Sequence, residues 1–176
     1  RRQRQMCIRD RPYEDDVWVT GFDIAPGNDA IVHHVINYIV SPDDVAEFQE
    51  IAAADEGDGY GCFGGPGGTV ATLFNTEWLG SWAPGSGAVL MPEGYGLHVE
   101  PGSAIVMQVH YNSTGGELES DQSAMDLRVE TEPQKEAVFY RWTEPAWPLG
   151  VGMEIPANTD GCLLYTSPSP RDGTKS

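Results

Sequence analysis

A chain of 176 residues that is 40% hydrophobic, with five Trp and seven Tyr, is long enough to bury the core of one domain. Its 27 acidic and ten basic residues give a formal charge of −17, which repels nucleic acid and anionic lipid and argues against both as partners. No stretch approaches the roughly 18 apolar residues of a membrane helix, and no basic-then-apolar secretion signal opens the sequence.

The ends differ in composition from the middle. Residues 1–11 carry Arg1, Arg2, Arg4, Arg9 and Arg11 without hydrophobic periodicity, and residues 162–176 read as an unstructured polar tail. Both resemble translated sequencing-adapter segments; the alternative is a genuine disordered arm at each end, the basic one a candidate tether. The domain is therefore expected over 12–161. Within it, 25 acids (27 less Asp10 and Asp172) face only Arg128, Lys135 and Arg141, a net charge of −22. Solubility or a saline habitat accounts for that surface without a cationic partner. Cys7 and Cys162 fall in the ends, which leaves Cys62 as a small buried hydrophobe or as half of a disulfide whose partner lies elsewhere.

In chain order, residues 17–24 alternate as a first strand, stopped by the turn cluster at 25–29. Residues 31–40 form a second, β-branched strand that contains His33 and His34. Ser41 can cap a helix whose first turn holds Pro42, Asp43 and Asp44, with residues 45–54 helical. Residues 55–68 read as a glycine-rich loop and 78–86 as another, leading to a short strand at 88–92. Strands are expected at 94–99, 104–112, 125–130 and 137–142, with a last one starting at 153–156 and a polar loop at 115–122. Twenty-one Gly and thirteen Pro suit this turn-rich pattern. The expected fold is all-β: an antiparallel β-sandwich of jelly-roll type, about eight strands with one short helix after the His-His strand.

The chain has four histidines, two of them adjacent. Neighbours in a regular strand point to opposite faces, so His33 and His34 can share an ion only where the strand twists or bulges. In that case the two rings could approach one ion from opposite sides, nitrogens about 4 Å apart at metal–imidazole bonds of about 2.0–2.1 Å. His110, in the strand at 104–112, is the candidate third ligand. Imidazole-only ligation suits copper, zinc, iron and nickel. The plainer alternative makes His33 and His34 a satisfied core histidine and its exposed neighbour.

His33-His34 flanked by Val32 and Val35, the glycine-rich loop at 61–68, Trp82-Ala-Pro-Gly85, Met91-Pro-Glu-Gly94 and the run 101–112 ending Gln108-Val-His-Tyr-Asn112 together resemble the copper type II, ascorbate-dependent monooxygenases. These are the peptidylglycine α-hydroxylating and dopamine β-hydroxylating enzymes, and the similarity is greatest to their bacterial relatives. It spans about residues 15–160. In that family an N-terminal jelly roll holds an electron-transfer copper through an adjacent His pair and a later His in a Gln-Val-His strand. A second jelly roll holds the oxygen-activating copper through His-x-His and a Met.

The resemblance implies one copper ion, Cu(I) or Cu(II), on His33, His34 and His110, ascorbate as external reductant, and a secreted or periplasmic location. The sequence has no His-x-His, so the C-terminal copper domain is expected as a missing partner on the same polypeptide, and these residues alone are expected not to hydroxylate a C–H bond. The competing readings are a stand-alone copper-binding module without catalysis and a zinc hydrolase, which would need a general base beside the ion.

Other residues attract blander expectations. His98 matches no family ligand and reads as a surface or hydrogen-bonded histidine. Met107 is three residues from His110, hence on the opposite face, and is expected in the core with Met91, Met125 and Met153. Gln108 shares the face of His110 and is a candidate for a hydrogen bond behind an imidazole. Asn112-Ser-Thr114 fits the glycosylation pattern, which the bacterial resemblance makes a coincidence. The glycines at 64–68 lack the Lys and following helix of a phosphate loop and are taken as loop shape only.

Overall fold

The structure is a computed structural model and describes residues 4–6, 14–57, 59–62, 64–69, 72, 75–112 and 120–139. Among these are nine strands and one helix of regular length: β1 Arg4–Met6, β2 Val17–Ala25, β3 Val32–Val40, α1 Val45–Ala54, β4 Glu77–Trp82, β5 Val89–Leu90, β6 Tyr95–Val99, β7 Ala104–Tyr111, β8 Ala124–Glu130 and β9 Lys135–Glu136. All lie in one unit, Arg1–Phe139; Tyr140–Ser176 form a second unit, outside the described residues.

The strands build two sheets. One runs β1-β7-β3-β4; the other runs β5-β2-β6-β9, with β8 also on β2. Trp18 pairs with both His98 of β6 and Glu130 of β8, so these two strands occupy opposite edges of β2. The inward faces interlock: Val17, Val19, Phe22, Ile24, Leu97 and Val99 of one sheet meet Val32, Val35, Ile39, Leu79, Met107 and Val109 of the other in a single buried cluster. Alternating strands put every second residue on that face, and burying the opposed faces is what holds two antiparallel sheets together. The result is an all-β sandwich with one short helix.

A second cluster covers the outer face of the β3–β7 pair, where Phe48 of α1 meets Tyr38, Val40, Tyr60 and Val106. Glu47 accepts from Thr69 N at 2.6 Å and Tyr60 OH donates to Pro66 O at 2.5 Å, which ties the glycine-rich loop over the helix and the sheet.

Several local expectations need correction. Residues 78–82 are not loop but most of β4, paired to β3 from Val35↔Trp82 to Ile39↔Glu77. Their Gly and Ser resemble turn formers, yet Gly80 is there because Phe22 of the facing sheet crosses it: a Cβ on Gly80 would lie 2.2 Å from Phe22 Cζ. Asn37 pairs with Gly80 and Tyr38 with Trp78, so the fully buried Leu79 is the extra residue of a bulge. Gly80→Ala should therefore destabilise the domain by about 1–3 kcal/mol through overpacking, measurable as a lower urea midpoint with an unchanged slope.

Ser41 does not cap the helix. Its hydroxyl donates to Asp44 Oδ2 at 3.0 Å, and Asp44 is the N-cap residue, without a side-chain bond to the helix backbone. The strand expected at 88–92 is only two residues long, although Met91 N still donates to Thr20 O of β2 at 2.9 Å. The last pair, β6 with β9, is parallel rather than antiparallel. Residues 137–139 of the strand expected at 137–142 are not in a ladder, while its remainder and the strand at 153–156 lie outside the described residues, as does most of the loop at 115–122. From the segment 1–11, Arg4–Met6 pairs with β7, Arg4 opposite Val109.

Candidate metal centre

β3 and β7 run antiparallel, with His34 directly opposite His110, followed by Ile36 opposite Gln108 and Tyr38 opposite Val106. Residues separated by two share a face, so the His34–His110 pair heads a column whose next rows lie under the helix and the glycine-rich loop. His33 would ordinarily point to the other side. The β3–β7 register slips between Val32 and His34, and this bulge returns both Val32 and Val35 to the core, 2% and 0% exposed, although three positions separate them. His33 is thereby left on the open side with its neighbour.

The outcome is a convergence of ring nitrogens. His33 Nδ1 lies 3.0 Å from His34 Nδ1, and His110 Nδ1 lies 3.3 Å from that same atom. The rings are mutually steep, 61°, 77° and 79° between planes with centroids 4.6–5.2 Å apart, rather than stacked. All three candidate ligand atoms lie within 4.8 Å of one another.

An imidazole nitrogen carries either one lone pair or one hydrogen, so His34 Nδ1 can make one good hydrogen bond here but not two. A cation satisfies all three lone pairs at once. Nitrogens bound to one ion at about 2.0–2.1 Å stand about 2.9 Å apart at right angles and about 4 Å apart across it. The observed 3.0 and 3.3 Å fall at the narrow end of that range. At the 3.0 Å separation the His33 and His34 nitrogens would bind one ion at about right angles, whereas binding it from opposite sides needs about 4 Å. The triad can hold one metal ion.

Burial and the adjacent His110 and His33 hold the His34 pKa below the ordinary histidine value of 6.5, so its neutral, ligating form prevails at neutral pH. A lowered folded-state pKa means that the unfolded chain binds the proton more readily. This contribution to stability is intact above the ordinary value and is lost as pH falls through the folded one. Metal uptake moves the same way, since every ligand must be deprotonated. Titrating the metal-loaded chain from about pH 7.5 to about 5 should weaken binding by up to tenfold per pH unit for each imidazole that protonates. Competition with a chelator of known proton affinity measures this, and binding that does not change with pH would exclude the imidazoles as ligands.

Gln108 is 3% exposed, one row behind His110. Its amide donates to Gly65 O at 2.8 Å and to Cys62 Sγ at 3.2 Å, and its oxygen accepts from Tyr38 OH at 3.3 Å. Both amide hydrogens thus go to the loop, so Gln108 braces the loop against β7 rather than hydrogen-bonding an imidazole as a donor. Cys62 is half-buried, and burial pushes its thiol pKa up.

His98 belongs to the other sheet, where its Nε2 lies 2.8 Å from Asp16 Oδ1 and its ring 5.1 Å from that of Trp18. Met107 is in the core, Met91 and Met125 pack against it, and Met153 lies outside the described residues. Asn112 is exposed; the remaining two residues of its glycosylation pattern also lie outside them.

Sequence reasoning missed the segment around Asp121, whose Oδ2 accepts from Tyr111 OH at 2.8 Å, from Ser123 Oγ at 2.9 Å and from Ser123 N at 3.2 Å. The Asp-x-Ser spacing of an Asx turn was its only local signal. No known family and no curated protein matches the chain.

Proposed function

We propose that this chain is the electron-transfer copper domain of a copper-dependent, ascorbate-dependent monooxygenase, secreted or periplasmic. The observation that carries the reading is the convergence of His33, His34 and His110 Nδ1 atoms at one place on the outer face of a sandwich. Its agreement with the ordered motifs of the sequence supports copper over the other metals that imidazoles take.

In the full-length enzyme, a second copper domain would activate O2 and hydroxylate a C–H bond. When bound to the triad, copper supplies a one-electron couple between Cu(I) and Cu(II). The residues of this chain determine where that couple resides. His34 and His110 face each other across one ladder, and the bulge sets His33 beside them. His33 is exposed and the other two half-buried, so a small reductant such as ascorbate can reach the site from solvent.

Three neutral donors leave the ion's positive charge on the protein, and the acidic domain offsets it at long range. The zinc hydrolase reading draws no support, because among the described residues no carboxylate joins the histidine cluster.

The test is anaerobic. The full chain loaded with one equivalent of Cu(II) should lose its EPR signal on adding ascorbate and regain it with an oxidant. A chain that binds copper but cannot be cycled would favour the stand-alone binding module. Extended coding sequence bears on the same choice: an in-frame His-x-His and a later Met downstream would support the monooxygenase, and a stop codon the module.

A further inference from the structure

We infer that Asp121 is a positioning residue for the histidine triad, acting as a clamp between the two strands that carry it; the inference rests on the metal-binding reading of that triad. The clamp has two arms. The first reaches β7: Tyr111 follows His110 directly, and its hydroxyl donates to Asp121 Oδ2 at 2.8 Å.

The second arm reaches the turn before β3. Ser123, 8% exposed, donates to Asp121 Oδ2 through both N and Oγ, and its Oγ in turn accepts from Gly27 N at 3.3 Å. Ser120 O accepts from Asn28 Nδ2 at 3.3 Å. The contact is close enough that a Cβ on Gly27 would lie 2.5 Å from Gln122 N.

That turn sets where His33 points. Asn28 O accepts from Ile31 N at 3.2 Å and from Val32 N at 3.1 Å, and Asn28 Oδ1 accepts from Ala30 N at 3.0 Å. Asn112 N then donates to Ile31 O at 2.8 Å, joining the turn to the end of β7. The next residues are the bulge between Val32 and His34.

A bulge leaves one residue without a partner in the ladder, so its geometry is decided by what holds its flanks. Here the flank on one strand and the residue after His110 on the other are both tied to the segment 120–123: Gly27 and Asn28 donate to Ser123 Oγ and Ser120 O, and one Asp121 carboxylate oxygen accepts from both Ser123 and Tyr111. Hydrogen bonds to a carboxylate are stronger than neutral ones and directional, which suits a group that must hold two strands in register.

The test uses the full chain with Cu(I), measuring affinity by competition with a chromophoric chelator and the Cu(II) form by EPR. Asp121→Ala should bind copper about tenfold more weakly, within the range expected for residues that orient ligands, and should shift the EPR hyperfine pattern. Asp121→Asn, which can present its carbonyl oxygen to the same three donors, should restore the wild-type pattern. Tyr111→Phe removes only the arm to β7 and decides the matter if Asp121→Ala fails to fold: weaker binding with a shifted pattern supports the clamp.

A role in stability alone would lower the melting temperature yet leave affinity and EPR pattern unchanged in these variants, and that result overturns the inference. Wild-type chain that takes up no copper would instead overturn the metal-binding reading, and the inference with it.

Discussion

His110→Ala should leave the chain unable to hold a metal ion, with the expected uptake falling from one copper per chain to almost none at micromolar concentration. The loss should exceed 100-fold in affinity, since even residues that merely orient a ligand account for about 10–100-fold. His34→Ala should be at least as damaging, because His34 Nδ1 is the atom common to the 3.0 and 3.3 Å contacts.

The fold should survive both changes. These side chains are only partly buried, and their removal opens no cavity between the sheets. His98→Ala serves as control, since its partners Asp16 and Trp18 belong to the other sheet and copper stoichiometry should not change. Metal analysis of the purified variants decides the question. One equivalent of copper retained by His110→Ala would exclude the triad.

Phe48→Ala is expected to have the largest effect on stability. Phe48 is 0% exposed and is the buried residue of α1, with Val45, Ile51 and Ala52 only partly buried beside it. Truncating a buried Phe costs about 3–5 kcal/mol, a large share of the roughly 5–15 kcal/mol that holds a domain together.

The damage should extend beyond the helix. Thr69 N bonds to Glu47 in the first turn of α1, so an undocked helix releases the loop that Gln108 braces at Gly65. Urea denaturation of the metal-free chain gives the free energy, and a loss below about 1 kcal/mol would mean that the helix contributes little to the outer face of the sheet. Copper uptake by whatever fraction remains folded should persist, because the three ligands belong to β3 and β7 and none comes from α1.

Much of this architecture is legible in the sequence. Period-two alternation places β2, β3, β6, β7 and β8, and the Asp-rich start with an amphipathic ten-residue run marks α1. Such signals are local: each depends on a residue and its near neighbours. The identity of the candidate ligands was legible for a different reason. Histidines are scarce in this chain, so an adjacent pair and a third in a later strand stand out as candidates, although the pair by itself equally suits one core histidine and its exposed neighbour.

What a local pattern cannot carry is pairing. β4 was hidden because its Gly80 and Ser81 resemble turn residues until Phe22 is known to pack across Gly80. Asp121 was hidden because its bond to Tyr111, and that of its neighbour Ser123 to Gly27, join segments that are distant in the chain.

The histidines show the division most clearly. Composition and spacing single out His33, His34 and His110, yet strict alternation would send His33 to the opposite face. The register slip between Val32 and His34 reverses that, and it arises from how β3 pairs with a strand that places His110 76 residues away opposite His34. Residue types and periodicity belong to the chain, and so the sequence alone determined the candidate donors and the strands that bear them. Register and bulge are properties of hydrogen bonding between distant segments, and only the tertiary structure decided that the three nitrogens meet.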